Sequence, residues 1–237
     1  MPVRDRRAVV QPALILDRTA ARPRAAVLLL HGGCSESEEP PSSLNLPGAR
    51  MRPFIRSVLR ATDGYDVVVG RVRYRHRGWN GSRADAARDA RRALDELEEL
   101  AGPVPVVLVG HSMGGRAALA VAGHDLISGV VGLAPWCPRG EPVEQLAGRR
   151  AVLLHGTGDR VTDPRGSVEL AARAREAGAE ACAVLLAGGD HAMLRRAGTW
   201  HSLATGSVTA LLGMDPFPDK VRLAFLRGDG EDPAHQA

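Results

Sequence analysis

Aromatic residues are scarce: three Trp, two Tyr and three Phe make up 3% of 237 residues. So few rings leave few stacking platforms for single-stranded nucleic acid. Lysine is almost missing, with Lys220 the one lysine among 31 basic residues. The arginines are mostly interleaved with acids, as in Arg88, Asp89, Arg91, Arg92, Asp95 and Glu96, so the net charge is only +4. An electrostatic footprint for nucleic acid needs a clustered basic patch, and no such partner is expected. Cysteines number three, Cys34, Cys137 and Cys182, widely spaced and without C-x-x-C. That argues against a disulfide framework and a zinc site. H-E-x-x-H is also absent, and neither a metal nor another cofactor is expected. Arg4, Arg6 and Arg7 are followed by no apolar signal core, and no run approaches the roughly 18 apolar residues that span a bilayer. The expectation is a cytoplasmic protein with no membrane partner.

What is present fits one globular α/β unit. Hydrophobic residues are 44% and charged residues 24%. Ala25 to Leu30 and Val104 to Val109 are continuous apolar runs, the mark of strands buried on both faces. Further strands are expected over Ala8 to Leu16, Tyr65 to Arg73, Gly129 to Leu133, Ala151 to Leu154 and Ala181 to Leu186. Helices are expected over Met51 to Ala61, from a Ser82 cap to Ala101, over Met113 to Val121, Ser167 to Ala177 and Thr199 to Leu212. Strands alternating with helices imply an α/β/α sandwich of three layers with a mostly parallel sheet. Residues 1–214 read as a single domain. Residues 215–237 read as an extension with a short amphipathic piece (Val221, Leu223, Ala224, Phe225) and a polar tail.

The chemistry centres on Gly110-His111-Ser112-Met113-Gly114-Gly115, which leaves a buried strand and opens a helix. A serine on such a turn sits in strained backbone, and both flanks must be small for the turn to close. Its hydroxyl emerges at the carboxyl edge of the sheet, where open α/β folds bind ligands. The Met113 N–H, at a helix N-terminus, favours a developing negative charge there. Serine needs a base, and His191 follows the last core strand on the same edge after Gly188-Gly189-Asp190. His31 and His155 each close a strand before Gly, where they are expected to bond loop backbone, while His76, His124, His201 and His235 read as surface residues. The base needs an orienting carboxylate. Asp159 is preferred over Asp163, which precedes Pro164 and suits a helix cap.

The chain resembles the α/β-hydrolase family from about Ala25 to Leu212. The resemblance rests on His31-Gly32-Gly33, the Ser112 motif, His155-Gly156-x-x-Asp159, Gly189-Asp190-His191 and the order Ser112, Asp159, His191. In Leu133-Ala134-Pro135-Trp136 it is similar to the small lidless dienelactone-hydrolase-like and cutinase-like members. The resemblance implies that Ser112 attacks an acyl carbonyl, His191 moves the proton, Asp159 fixes the His tautomer, and the Gly33 and Met113 N–H groups form an oxyanion hole. It implies a serine hydrolase of a carboxylic ester, acting on a small-molecule ester or thioester. Thioesterase, polyester hydrolase or acyl transferase are the alternatives, and a catalytically silent binding protein is a third. Too few residues separate Leu133 from Ala151 for a sizeable cap domain, so an open site lined by Cys34, Met113, Trp136 and Met193 is expected. The Cys34 to Pro53 loop is longer than a minimal member needs. Arg71, Arg73, Arg75 and Arg77 alternate along a strand end, where either an acidic substrate or solvent faces them; solvent is preferred.

Overall fold

The computed structural model describes residues 11–42 and 44–227. Seven strands form one sheet: β1 (Leu14–Arg18), β2 (Ala25–Leu30), β3 (Val67–Val72), β4 (Val106–His111), β5 (Ile127–Leu133), β6 (Arg150–Gly156) and β7 (Glu180–Leu186). Their order is β1-β3-β2-β4-β5-β6-β7, with β1 antiparallel to β3 and all other pairs parallel. Every residue of β2 and β4 is buried, which is why both read as unbroken apolar runs.

The helices are α1 (Leu46–Ala61), α2 (Asp85–Ala101), α3 (Met113–Ala120), α4 (Pro164–Glu176), α5 (Ala197–Leu211) and α6 (Asp219–Arg227). The strand period of two splits the core into two layers. Ala26, Leu28 and Leu30 of β2 face α2, α3 and α4 in one cluster. Val27 and Leu29 face α1, α5 and α6 in the other. The result is a sheet covered on both sides. Between β5 and β6 the chain holds one short 3-10 turn, Glu144–Leu146, and no cap domain.

Several boundaries differ from the sequence reading. β1 starts at Leu14, and the part of the expected first strand before residue 11 lies outside the described residues. α1 starts five residues earlier than expected: Asn45 caps it by accepting the Gly48 N–H, with Pro47 in the first turn. Pro53 lies inside the helix, as it does in the expected span. Ser82 is not a cap. Asn80 and Ala84 both take left-handed backbone, Gly81–Arg83 forms a 3-10 turn, and α2 begins at Asp85 without a side-chain cap. The C-terminal amphipathic piece is α6, whose Val221 is fully buried and whose Phe225 packs 5.1 Å from Phe217. The polar tail with His235 lies outside the described residues.

Trp200 is the largest fully buried side chain and anchors α5 to the α1 face of the sheet. Trp200→Ala should lower unfolding free energy by about 3–5 kcal/mol in denaturant titration. A loss under about 1 kcal/mol would show that the site collapses around the truncation.

Candidate active site

β4 lies at the centre of the sheet, with Gly110 paired to Leu30 of β2 and to Gly132 of β5. At its end the chain reverses into α3 through Ser112, at φ 55° and ψ −119°. A non-glycine residue there is strained and must be held by its surroundings. Here the holding is backbone contact. A Cβ on Gly110 would lie 2.3 Å from the Gly114 carbonyl oxygen, and one on Gly114 2.4 Å from that of Leu30. The turn is pinned further by Ser112 N–H to Leu133 O at 3.1 Å and by Trp136 N–H to Ser112 O at 3.0 Å.

The structure brings Ser112, His191 and Asp159 together. His191 Nε2 is 3.1 Å from Ser112 Oγ, and His191 Nδ1 is 2.7 Å from Asp159 Oδ2. A carboxylate only accepts, so Nδ1 carries the proton and Nε2 presents a lone pair to the Ser112 hydroxyl. The Asp159 side chain has no solvent exposure. Its Oδ1 accepts from the N–H groups of Val161 at 2.7 Å and Thr162 at 3.0 Å. Burial pushes its carboxyl pKa up, but hydrogen bonds from His155, His191, Thr162 and Val161 outweigh burial and hold it well below the usual carboxylate range. Asp163 stands apart as the N-cap of α4, accepting the Arg165 N–H at 3.0 Å.

Two partners of this group escaped the sequence reading. His155 does not bond loop backbone. Its Nε2 lies 3.2 Å from Asp159 Oδ2, and its Nδ1 lies 2.7 Å from Ser167 Oγ. Thr162 Oγ1 lies 2.9 Å from the same Oδ2 and 3.2 Å from His191 Nδ1. The one legible signal was the four-residue spacing of His155 and Asp159 across a turn. His111 points into the interior, 4.9 Å ring to ring from His191, and donates from Nε2 to the His191 carbonyl at 2.9 Å. Burial, reinforced by the nearby His191, pushes its pKa down to about 3. His201 is half-buried against Phe54, 4.4 Å away, and not a free surface residue.

Gly33 sits at the end of the β2 turn, where a Cβ would meet the Arg77 carbonyl oxygen at 2.2 Å and Met113 Cε at 2.5 Å. The Met113 side chain is buried. Cys34 is exposed and bridges to Gly78. Trp136 is half-buried with Arg116 stacked on its ring at 4.4 Å; the same guanidinium lies 4.0 Å over Trp79 and pairs with Glu141 at 2.7 Å. Met193 is buried at φ 61°, two residues after His191. Burial pushes the Cys137 and Cys182 thiols up to about 12, which leaves them protonated and poorly nucleophilic. The arginine ladder is largely paired, Arg71 with Asp17, Arg75 with Asp89 and Arg77 with Glu39, while Arg73 bonds Gln11 and the Pro12 carbonyl. Among the described residues no cluster of three metal-ligating side chains occurs, and no helix is long and apolar enough to cross a membrane.

The model of the alpha/beta hydrolase family matches residues 27–237. The chain belongs to the alpha/beta hydrolase family. Similar solved structures include Est1E from Butyrivibrio proteoclasticus with ferulic acid bound, at 14% identity and TM-score 0.60, covering 84% of this chain and 95% of that one. An alpha-beta serine hydrolase homologue from Coxiella burnetii matches at 14% identity and TM-score 0.61, covering 82% and 90%. The esterase Est2 from Thermogutta terrifontis, with propionate bound, matches at 18% identity and TM-score 0.61, covering 86% and 91%. At these identities the likeness is one of fold. No curated protein matches the chain.

The depressed Asp159 pKa fixes a sign. The stability it contributes is fully present above the unfolded value, near about 3.9, and is lost as pH falls toward the folded value. The difference in unfolding free energy between wild type and Asp159→Asn should therefore shrink as pH drops below about 5. A difference that grows with acid would contradict the hydrogen-bond account. Asp163→Ala should cost about 1 kcal/mol through the lost cap at any pH above the carboxylate range.

Proposed function

We propose that the chain is a serine hydrolase that cleaves a carboxylic ester through an acyl-enzyme. The observation that carries this is the unbroken contact from Ser112 Oγ to His191 Nε2 at 3.1 Å and from Nδ1 to Asp159 at 2.7 Å. Ser112 Oγ attacks the ester carbonyl as its proton passes to His191 Nε2. The imidazolium so formed faces the Asp159 carboxylate, which stays ionised through the cycle. His111 supports this step by being neutral, since a second cation 4.9 Å away would oppose it.

The tetrahedral oxyanion forms beside the N-terminus of α3. The Met113 N–H, first of that helix and without an intrahelical partner, is one donor, and the Gly33 N–H is the other. The contact between Gly33 and the Met113 side chain brings the two segments together. The tetrahedral intermediate collapses as the His191 proton passes to the leaving alkoxide. Water, deprotonated by His191, then attacks the acyl-Ser112 ester and frees the acid. The bound carboxylic acids in Est1E and Est2 are of the product class this reaction releases. A thioester enters the same scheme with a thiolate as leaving group.

Ser112→Ala should lower kcat for short p-nitrophenyl esters by about 10⁴-fold or more with an unchanged far-ultraviolet circular dichroism spectrum. A fluorophosphonate probe should label Ser112 in the wild type. Asp159→Asn should cost about 10²- to 10⁴-fold, because the wrong His191 tautomer is then favoured, while Asp163→Asn should leave turnover within about twofold. Full activity in Ser112→Ala would refute the mechanism.

A further inference from the structure

A cavity of about 350 Å³ lies between α1 and the turn that follows His191, and the proton relay makes no use of it. Its floor is the buried pair Phe54 and Met193, and its rim carries Leu46 and Leu194, both largely exposed. Large apolar side chains left in water beside a cavity mark a place where an apolar ligand binds. The wall adjoins the reacting centre through the chain and through Arg50, whose charge reaches His111, the residue that bonds the His191 carbonyl. Ala192 and Met193 follow His191 directly in the chain, and Met193 is held at φ 61° with its N–H bonded to the Asp190 carbonyl at 3.0 Å. Backbone strain of this kind collects where a site is shaped for a ligand.

The Asp190 carboxylate lies behind the wall, where it accepts the Leu194 and Arg195 N–H groups at 2.9 and 2.7 Å. No acidic residue lines the cavity itself. Its polar lining is Arg50 and His201, and burial pushes the His201 pKa down, so the resident charge is the Arg50 guanidinium. Arg50 has no carboxylate partner among the described residues, in contrast with Arg71, Arg75 and Arg77. α1 carries Arg52, Arg56 and Arg60 on an exposed face and no acid, and Arg195 and Arg196 follow Leu194 in the chain; none of the five lines the cavity. An apolar trough with one guanidinium that has no carboxylate partner suits an amphipathic anion.

We propose that this cavity holds one arm of the ester, and that this arm is apolar along its length and ends in a carboxylate bound by Arg50. The proposal rests on Ser112 as nucleophile and names the substrate class for that site: half-esters of dicarboxylic acids, or esters of hydroxylated aromatic or aliphatic acids.

Two matched pairs test it, one for each arm. Hydrolysis of p-nitrophenyl hydrogen glutarate is compared with p-nitrophenyl valerate, and 4-butyryloxybenzoate with phenyl butyrate. In at least one pair the anionic member should have the higher kcat/KM, by about tenfold, the scale of a charge-assisted hydrogen bond. Arg50→Gln should remove that preference and Arg50→Lys should keep most of it. In the wild type the preference should fall as salt rises from 0.01 to 0.5 M, a measurement that needs no variant. No anionic preference in either pair, or a preference that survives Arg50→Gln, overturns the inference while fluorophosphonate labelling of Ser112 stands. Loss of the labelling itself overturns the nucleophile and this inference together.

Discussion

The reversal of the chain at Ser112 sets the terms for everything around it. A left-handed residue between a strand and a helix brings the two elements so close that carbonyl oxygens occupy the space of two side chains, those of Gly110 and Gly114. The gain is orientation. The Ser112 side chain is largely buried at the carboxyl end of β4, directly before the first N–H of α3. The buried sheet supplies the restraint, because β4 is clamped between β2 and β5 and cannot relax the turn by sliding.

Asp159 organises the second half of the site. One carboxylate accepts five hydrogen bonds, from His191, His155, Thr162 Oγ1 and the N–H groups of Val161 and Thr162. Such a group has little freedom to rotate, and neither does the imidazole that leans on it. The His191 backbone is held independently by the His111 donor from β4. His191 is therefore held at two points, by its ring through the loop after β6 and by its carbonyl through the strand that carries Ser112. The ring fixes the tautomer and the carbonyl fixes the distance. Neither support contacts the reacting hydroxyl, yet both act on its geometry.

Much of this was legible before any coordinates. The buried strands β2 and β4 stood out because parallel central strands are apolar on both faces, and the glycine flanks of Ser112 stood out because a tight strand-to-helix turn leaves no room for Cβ atoms. Helix starts were less legible. At α1 the Asn45 cap and Pro47 lie in a stretch read as loop, and at α2 two left-handed residues displaced the expected Ser82 cap. The supports of the site were hidden for a different reason. His155 looks like an ordinary strand-end residue and Thr162 like an ordinary loop residue, and their convergence on one carboxylate oxygen depends on the path of a loop that no periodicity encodes. The stacking of Arg116 between Trp79 and Trp136 likewise joins residues from three separate segments.

The absence of a cap between β5 and β6 leaves the site built from loops that each leave a different strand end, and this has a consequence for the timing of synthesis. Ser112 and His191 are 79 residues apart in the chain, and Asp159 and His191 are 32 apart. At the roughly 5–20 residues per second of translation, Ser112 emerges several seconds or more before His191. During that interval the growing chain has β2, β3 and β4 available to pair, with Ser112 at their edge and without the His191 contact. On the proposed mechanism the serine meets its partner only when β7 has joined the sheet and carried His191 to Ser112, so the last core strand to be made completes the site.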